Sequence, residues 1–147
     1  MSSHNELHEQ KEALMASEKF HEAIRVIEQI IAAEGLNDDL SVSLGRMQLR
    51  AGNPKAALAA VVDIAPSSDK YLDAMLVTGH AYKALNQLED AAGAYGILVD
   101  CGSPHLQAVG FWSLVDLKTR KLSDHEVEKL KAFVKQHESS PDVRYLA

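Results

Sequence analysis

Three stretches decide the fold: AIRVIEQII at residues 23–31, ALAAVVDIA at 57–65 and AAGAYGILV at 91–99. Each lies 34 residues after the one before. Superimposed, they place Ala23, Ala57 and Ala91 in one column and Ile24, Leu58 and Ala92 in the next. Further columns hold Ile27, Val61 and Tyr95, then Ile30, Ile64 and Leu98, then Ile31, Ala65 and Val99. Within each stretch the apolar residues recur three and four apart, as in Ala23, Ile24, Ile27, Ile30 and Ile31. Leu58, Val61, Val62 and Ala65 repeat the pattern, and so do Ala91, Ala94, Tyr95, Leu98 and Val99. That spacing makes one apolar stripe on a helix, and the alternation of a strand is absent.

Upstream of the second and third stretches, Gly45 and Gly79 share a column, as do Leu14, Gln48 and Tyr82. Gly52-Asn53 aligns with Asn86-Gln87, where a turn is needed. Boundary residues agree with a helical chain. Ser3 with Glu6 and Ser123 with Glu126 have capping-box spacing. Asn53-Pro54 and Ser103-Pro104 each set a capping side chain before a proline at the first helical position. Gly35, Pro66 and Gly102 punctuate helix ends. The reading is eight helices, at about 3–17, 20–34, 38–51, 54–64, 70–85, 88–101, 104–120 and 123–137, joined by short connections into antiparallel pairs. Residues 138–147 read as a loosely held tail.

At 147 residues the chain is long enough for one domain with a core. With 46% hydrophobic and 24% charged residues it has a globular composition, and abundant Ala with four Pro favours helix. The net charge is −6, and the first 37 residues hold seven Glu against Lys11, Lys19 and Arg25. An acidic chain of this kind speaks against nucleic acid and against an anionic membrane surface. The single cysteine, Cys101, forms no disulfide within the chain, which suits a reducing compartment. The polar N-terminus does not look like a signal peptide, and no apolar run has the length of a membrane span, so the expected location is the cytoplasm.

The chain resembles the tetratricopeptide repeat, whose unit is a 34-residue helix-turn-helix with a Trp-x2-Leu-Gly-x2-Tyr first helix and an Ala-x3-Phe second helix. Here stand Leu44-Gly45, Gly79-x2-Tyr82, and Ala23-x3-Ile27, Ala57-x3-Val61 and Ala91-x3-Tyr95, over about residues 4–103. The first unit departs by carrying Lys11 in the Gly column, and the Trp column holds Leu7, Ser41 and Met75. The resemblance implies an all-α, right-handed solenoid of antiparallel helix pairs. Its units would be about 4–37, 38–71 and 72–105, with a degenerate or capping hairpin at 106–137, in one domain over 1–137. It also implies a protein-interaction module, a scaffold, adaptor or chaperone, whose concave face is lined by the first helices. That face would present Val42, Arg46, Leu49 and Arg50 from the second unit and Leu76, Val77, His80 and Lys83 from the third. The last hairpin would add Phe111, Leu114 and Lys118. This apolar face with a basic edge suits an amphipathic or partly acidic polypeptide segment. The Lys and Asn set with which one subtype clamps a chaperone C-terminal carboxylate is missing: His8, Glu12, Val42, Arg46, Leu76 and His80 stand there instead. The alternative is a self-associating subunit of a larger assembly, such as a bacterial secretion system, including a secretion-chaperone role. A homodimer would use Phe111, Trp112 and Val115.

Chemistry has little footing in the sequence. His4 and His8 stand four apart, but no His-Glu-x-x-His pattern follows, so surface binding of a stray ion is the expectation rather than a metal site. His21, His105, His125 and His137 fall near helix ends or exposed faces, and Cys101 reads as a small buried hydrophobe. No phosphate-binding glycine loop occurs. No catalytic residue and no cofactor is expected, and the chain reads as a non-enzyme.

Overall fold

The computed structural model describes residues 2–101, 103–117 and 124–136. Eight helices lie among them: α1 (Ser2–Ala16), α2 (Phe20–Glu34), α3 (Asp38–Arg50), α4 (Pro54–Val61), α5 (Tyr71–Ala84), α6 (Leu88–Val99), α7 (Pro104–Asp116) and α8 (Asp124–Gln136). No strand occurs among the described residues. Consecutive helices pack on one another from α1 to α7, and α3 also meets α5, which gives the all-α stacked-pair architecture expected of the repeat. The expected tail at 138–147, Gly102, Lys118, His137, the side chain of His4 and the Ser123 capping box lie outside the described residues.

The 34-residue columns are packing columns. Ala23, Ala57 and Ala91 are each completely buried, so at these points two helices meet with nothing larger than a methyl between them. The column of Ile27, Val61 and Tyr95 is at most 2% exposed. Around these columns the core divides into three clusters, each centred on one helix pair and its neighbour. Gly45 and Gly79 are the matching small residues on the facing helices. A Cβ built on Gly79 would lie 2.4 Å from the Tyr95 ring, and one on Gly45 would lie 2.9 Å from Val61 Cγ1.

The turn inside each pair repeats as faithfully as the core. Glu18, Gly52 and Asn86, spaced 34 apart, all adopt a left-handed backbone, with φ of 62°, 86° and 60°. One residue further on, the amides of Lys19, Asn53 and Gln87 donate to the carbonyls of Leu14, Gln48 and Tyr82 at 2.8–3.0 Å. This six-to-one bond closing over a left-handed residue satisfies the last carbonyls of the first helix of each pair. Glycine or asparagine suits that conformation, and Glu18 fills it at a steric cost.

Several boundaries differ from the sequence reading. Ser3 lies inside α1 rather than at its cap. Asn53 makes no capping bond; its side-chain amide donates to Gln48 Oε1 at 3.0 Å, while Pro54 does open α4. The cap of α3 is instead Asn37, whose side chain accepts from the Leu40 amide at 2.8 Å. Ser103 caps α7 as expected, through the Leu106 amide. α4 stops at Val61, because Pro66 bars Ala65 from the helical region and the chain tightens into an Ile64-to-Val61 turn bond. Val62, expected in the apolar stripe, is therefore left 73% exposed.

The stack changes register at α7. Gly110, not Ser113, makes the close approach there: its Cβ would lie 2.9 Å from Leu98 Cβ and 3.0 Å from the Tyr95 carbonyl. α8 closes this end through Phe133, whose ring packs 5.4 Å from that of Phe111, and through Lys129, which pairs with Asp100 of α6's end.

Candidate protein-binding groove

The turn between α1 and α2 overhangs the C-terminal half of α3, and α5 runs alongside. Between them is a groove of about 310 Å³. Its lining comes from Met15, Ala16, Glu18 and Phe20 of the first pair, Arg46, Met47, Leu49 and Arg50 of α3, and Leu76, Val77 and His80 of α5. Three separate helix pairs thus contribute, and the groove exists only because the 34-residue repeat stacks them.

The expected concave-face residues divide into three groups. Arg46, Leu49, Arg50, Leu76, Val77 and His80 come together in this groove, with Val77 as a buried floor residue. Lys83 lies outside it and pairs with Asp116 of α7. Val42, Phe111 and Leu114 are core. Val42 is 3% exposed, covered by Ala57, Val61 and Ala74, because the first turns of α3 face α4 and α5 rather than the groove. Phe111 and Leu114, at most 1% exposed, are sealed among Tyr95, Leu98 and Phe133. The first-helix stripe holds both groove and core residues, and spacing alone does not separate them. Met15, Ala16, Glu18, Phe20 and Met47 were missing from the sequence reading. Phe20 opens α2, and only the overhang of the first turn brings it across to α3.

The rim charges are not equivalent. Arg46 is already shared with Asp73 at 3.5 Å. Arg50 lies over the Phe20 ring, 5.7 Å from its centroid, and makes no ion pair among the described residues. Glu18 is the only carboxylate in the lining. Within a chain of net charge −6, the groove is thus a locally basic, apolar-floored site.

At its far end the groove is tied to α6 by His80. Its Nδ1 lies 2.7 Å from the Tyr95 hydroxyl, and the two rings meet edge to face at 5.5 Å. Burial, helped by the Asp116 carboxylate and opposed by a hydrogen bond with Ser113, pushes the Tyr95 phenol up to about 12, so it stays a neutral hydroxyl. Burial, then repulsion from Lys83, holds the His80 imidazole below its usual range. The folded state therefore binds fewer protons at this residue than the unfolded chain once the pH drops below about 6.5, and stability falls as the pH falls. Denaturant midpoints taken from about pH 7.5 down to about pH 5 should drop more steeply for the wild type than for His80→Gln. Parallel curves would remove His80 from the pH dependence.

Other polar groups do not assemble a chemical site. His8 Nε2 pairs with Glu34 at 3.0 Å, and Cys101 Sγ is 3.6 Å from the Ser103 carbonyl. No cluster of three or more His, Cys, Asp or Glu suited to a metal occurs among the described residues. Nor is any helix among them long and apolar enough to cross a membrane.

Residues 12–71 match the family model described as Tetratricopeptide repeat, a span running from α1 to the first residue of α5. Together with the 34-residue geometry of its helix pairs, that match supports assigning the repeats of this chain to the tetratricopeptide repeat family. Repeats of this family generally mediate protein–protein interaction, and the family is typically not enzymatic. No curated protein and no solved structure matches the chain significantly.

Proposed function

We propose that the chain binds a partner polypeptide in the α3–α5 groove, taking an apolar side chain onto the Met47–Leu76–Val77 floor and a carboxylate against Arg50. The observation that carries this reading is Arg50 itself. A guanidinium held over an aromatic ring beside an open apolar cavity, exposed and with no carboxylate partner among the described residues, is oriented and free to take one from a partner. Aromatic and arginine anchors of this kind concentrate binding energy at interfaces. Such a module serves as an adaptor or chaperone, and the lone cysteine favours a reducing location such as the cytoplasm.

The test is a binding isotherm with a partner recovered by the wild-type chain from native extract and then purified. Arg50→Glu and Leu76→Glu should each weaken binding by about tenfold to a hundredfold, the loss of one charge-assisted bond or one buried apolar contact. Both side chains are at least partly exposed, so the melting curves should stay close to wild type. Wild-type affinity in both variants would move the interface elsewhere.

A second reading rests on α7. Trp112 and Val115, three residues apart on one face, are 52% and 50% exposed, and such an apolar pair suits self-association. A strict monomer by light scattering at high concentration would remove this reading.

A further inference from the structure

At the opposite end of α3 from the groove lies a second, larger cavity of about 440 Å³. Leu36 and Ile64 wall it, Leu44 and the alanines Ala56 and Ala60 form its floor, and Asp38 and Asp63 stand on its rim. It belongs to the connection between α2 and α3 and to the outer side of α4, and it shares no lining residue with the groove.

Two features of this notch run against local stability. Leu36 is 65% exposed and neighbouring Val62 73% exposed, an apolar surface the fold does not cover. Asp63 comes just past the C-terminal end of α4, where the helix carbonyls make a negative charge unfavourable, and it forms no ion pair among the described residues. Asp38, by contrast, serves the first turn of α3, and its carboxylate is fixed by Ser68 Oγ at 2.6 Å. The surrounding surface stays negative, since nearby Lys70 is taken by Asp39 at 3.6 Å. Two carboxylates therefore flank an apolar notch whose lining, among the described residues, carries no cation.

We infer that this notch is a second docking site, for a polypeptide segment that sets a leucine-sized aliphatic side chain beside a lysine or arginine. Its charge preference is opposite to that of the groove. The chain would then join a partly acidic segment at the groove to a basic one at the notch. The small floor residues let the incoming backbone approach closely, and the carboxylates select the cation.

The experiment uses the full chain, labelled for NMR, with two short synthetic peptides of identical leucine content, one carrying lysines and the other glutamates. The lysine peptide should shift the amides of Leu36, Ala56 and Ala60 and, titrated on those amides, bind the notch about tenfold or more tightly than the glutamate peptide, which should instead shift residues 46–50. Asp63→Lys, at an exposed position, should abolish that preference, whereas Arg50→Glu should leave it intact, which separates this site from the groove. Equal affinities of the two peptides at the notch amides, lysine-peptide shifts confined to residues 46–50, or shifts at the notch that follow protein concentration without peptide would each overturn it. The last result would assign the notch to a second copy of the chain.

Discussion

Gly79→Ala should destabilise the protein by about 3 kcal/mol, as a drop in urea midpoint with little change in slope. The added methyl would sit 2.4 Å from Tyr95 Cε1 and 2.7 Å from Cδ1. The Tyr95 ring has no room to yield. It is completely buried, its hydroxyl is fixed to His80, and Asp116 and Ser113 stand close to it. Relief has to come from α5 and α6 moving apart, which opens the cluster that also holds Ala91, Leu98 and Phe111. In a domain of this size such a loss corresponds to roughly 10 °C in Tm. Shrinking the partner is the diagnostic step. In Tyr95→Leu the same glycine substitution should cost far less, giving a coupling energy of about 1 kcal/mol or more in a double-mutant cycle. Gly93→Ala supplies the opposite sign. Nothing lies within 4 Å of a Cβ there and the residue is inside α6, so the helix should gain about 0.5–1 kcal/mol. If Gly79→Ala behaved like Gly93→Ala, the close approach of α5 and α6 would be wrong.

The Gly79 column shows why so much of this fold is legible in the sequence. A repeat that stacks on itself must meet the same steric problem every 34 residues, so Ala23, Ala57 and Ala91, or Gly45 and Gly79, betray contacts that no single unit would reveal. The turn was half legible. Gly52 and Asn86 advertise a left-handed residue, but Glu18 occupies the same backbone state, and no local preference of glutamate points to it. Where the repeat loses register the column argument fails with it. The glycine that matters in α7 is Gly110, because α7 packs onto the preceding α6 with a different offset. The groove was legible for one reason and illegible for another. Residues on α3 and α5 share a helical face and a period, which put Arg46, Leu49, Arg50, Leu76, Val77 and His80 together. Met15 and Phe20 enter from a neighbouring pair, and that crossing depends on how one pair is rotated on the next, which the period does not encode. Burial was the other hidden variable. Val42 and Leu49 lie a helical heptad apart on α3, yet one is sealed by α4 and α5 while the other reaches the groove.

Phe111 puts that distinction to the most severe test, because its position in the sequence suggests a binding residue and its surroundings make it a core residue. Phe111→Ala should cost about 3–5 kcal/mol, the range for removing a buried aromatic ring from a packed site. The ring is 1% exposed and lies against Phe133, so its loss removes one side of the contact that seats α8. In a stack where each pair is held mainly by its neighbours, the damage should stay at the C-terminal end. Amide hydrogen exchange is expected to quicken in α7 and α8 well before it does in α2 and α3, whose cluster around Ile27 and Ile30 has no member in common with that of Phe111. Binding should respond differently. Under conditions where the variant remains folded, its affinity for a partner seated on Arg50 and Leu76 should match the wild type, because Phe111 does not line the groove. A Phe111→Ala protein with undiminished stability and weakened binding would return Phe111 to the concave face. Lost stability with intact binding would mean that the partner is held by the first three helix pairs, and that the C-terminal helices serve to close the stack.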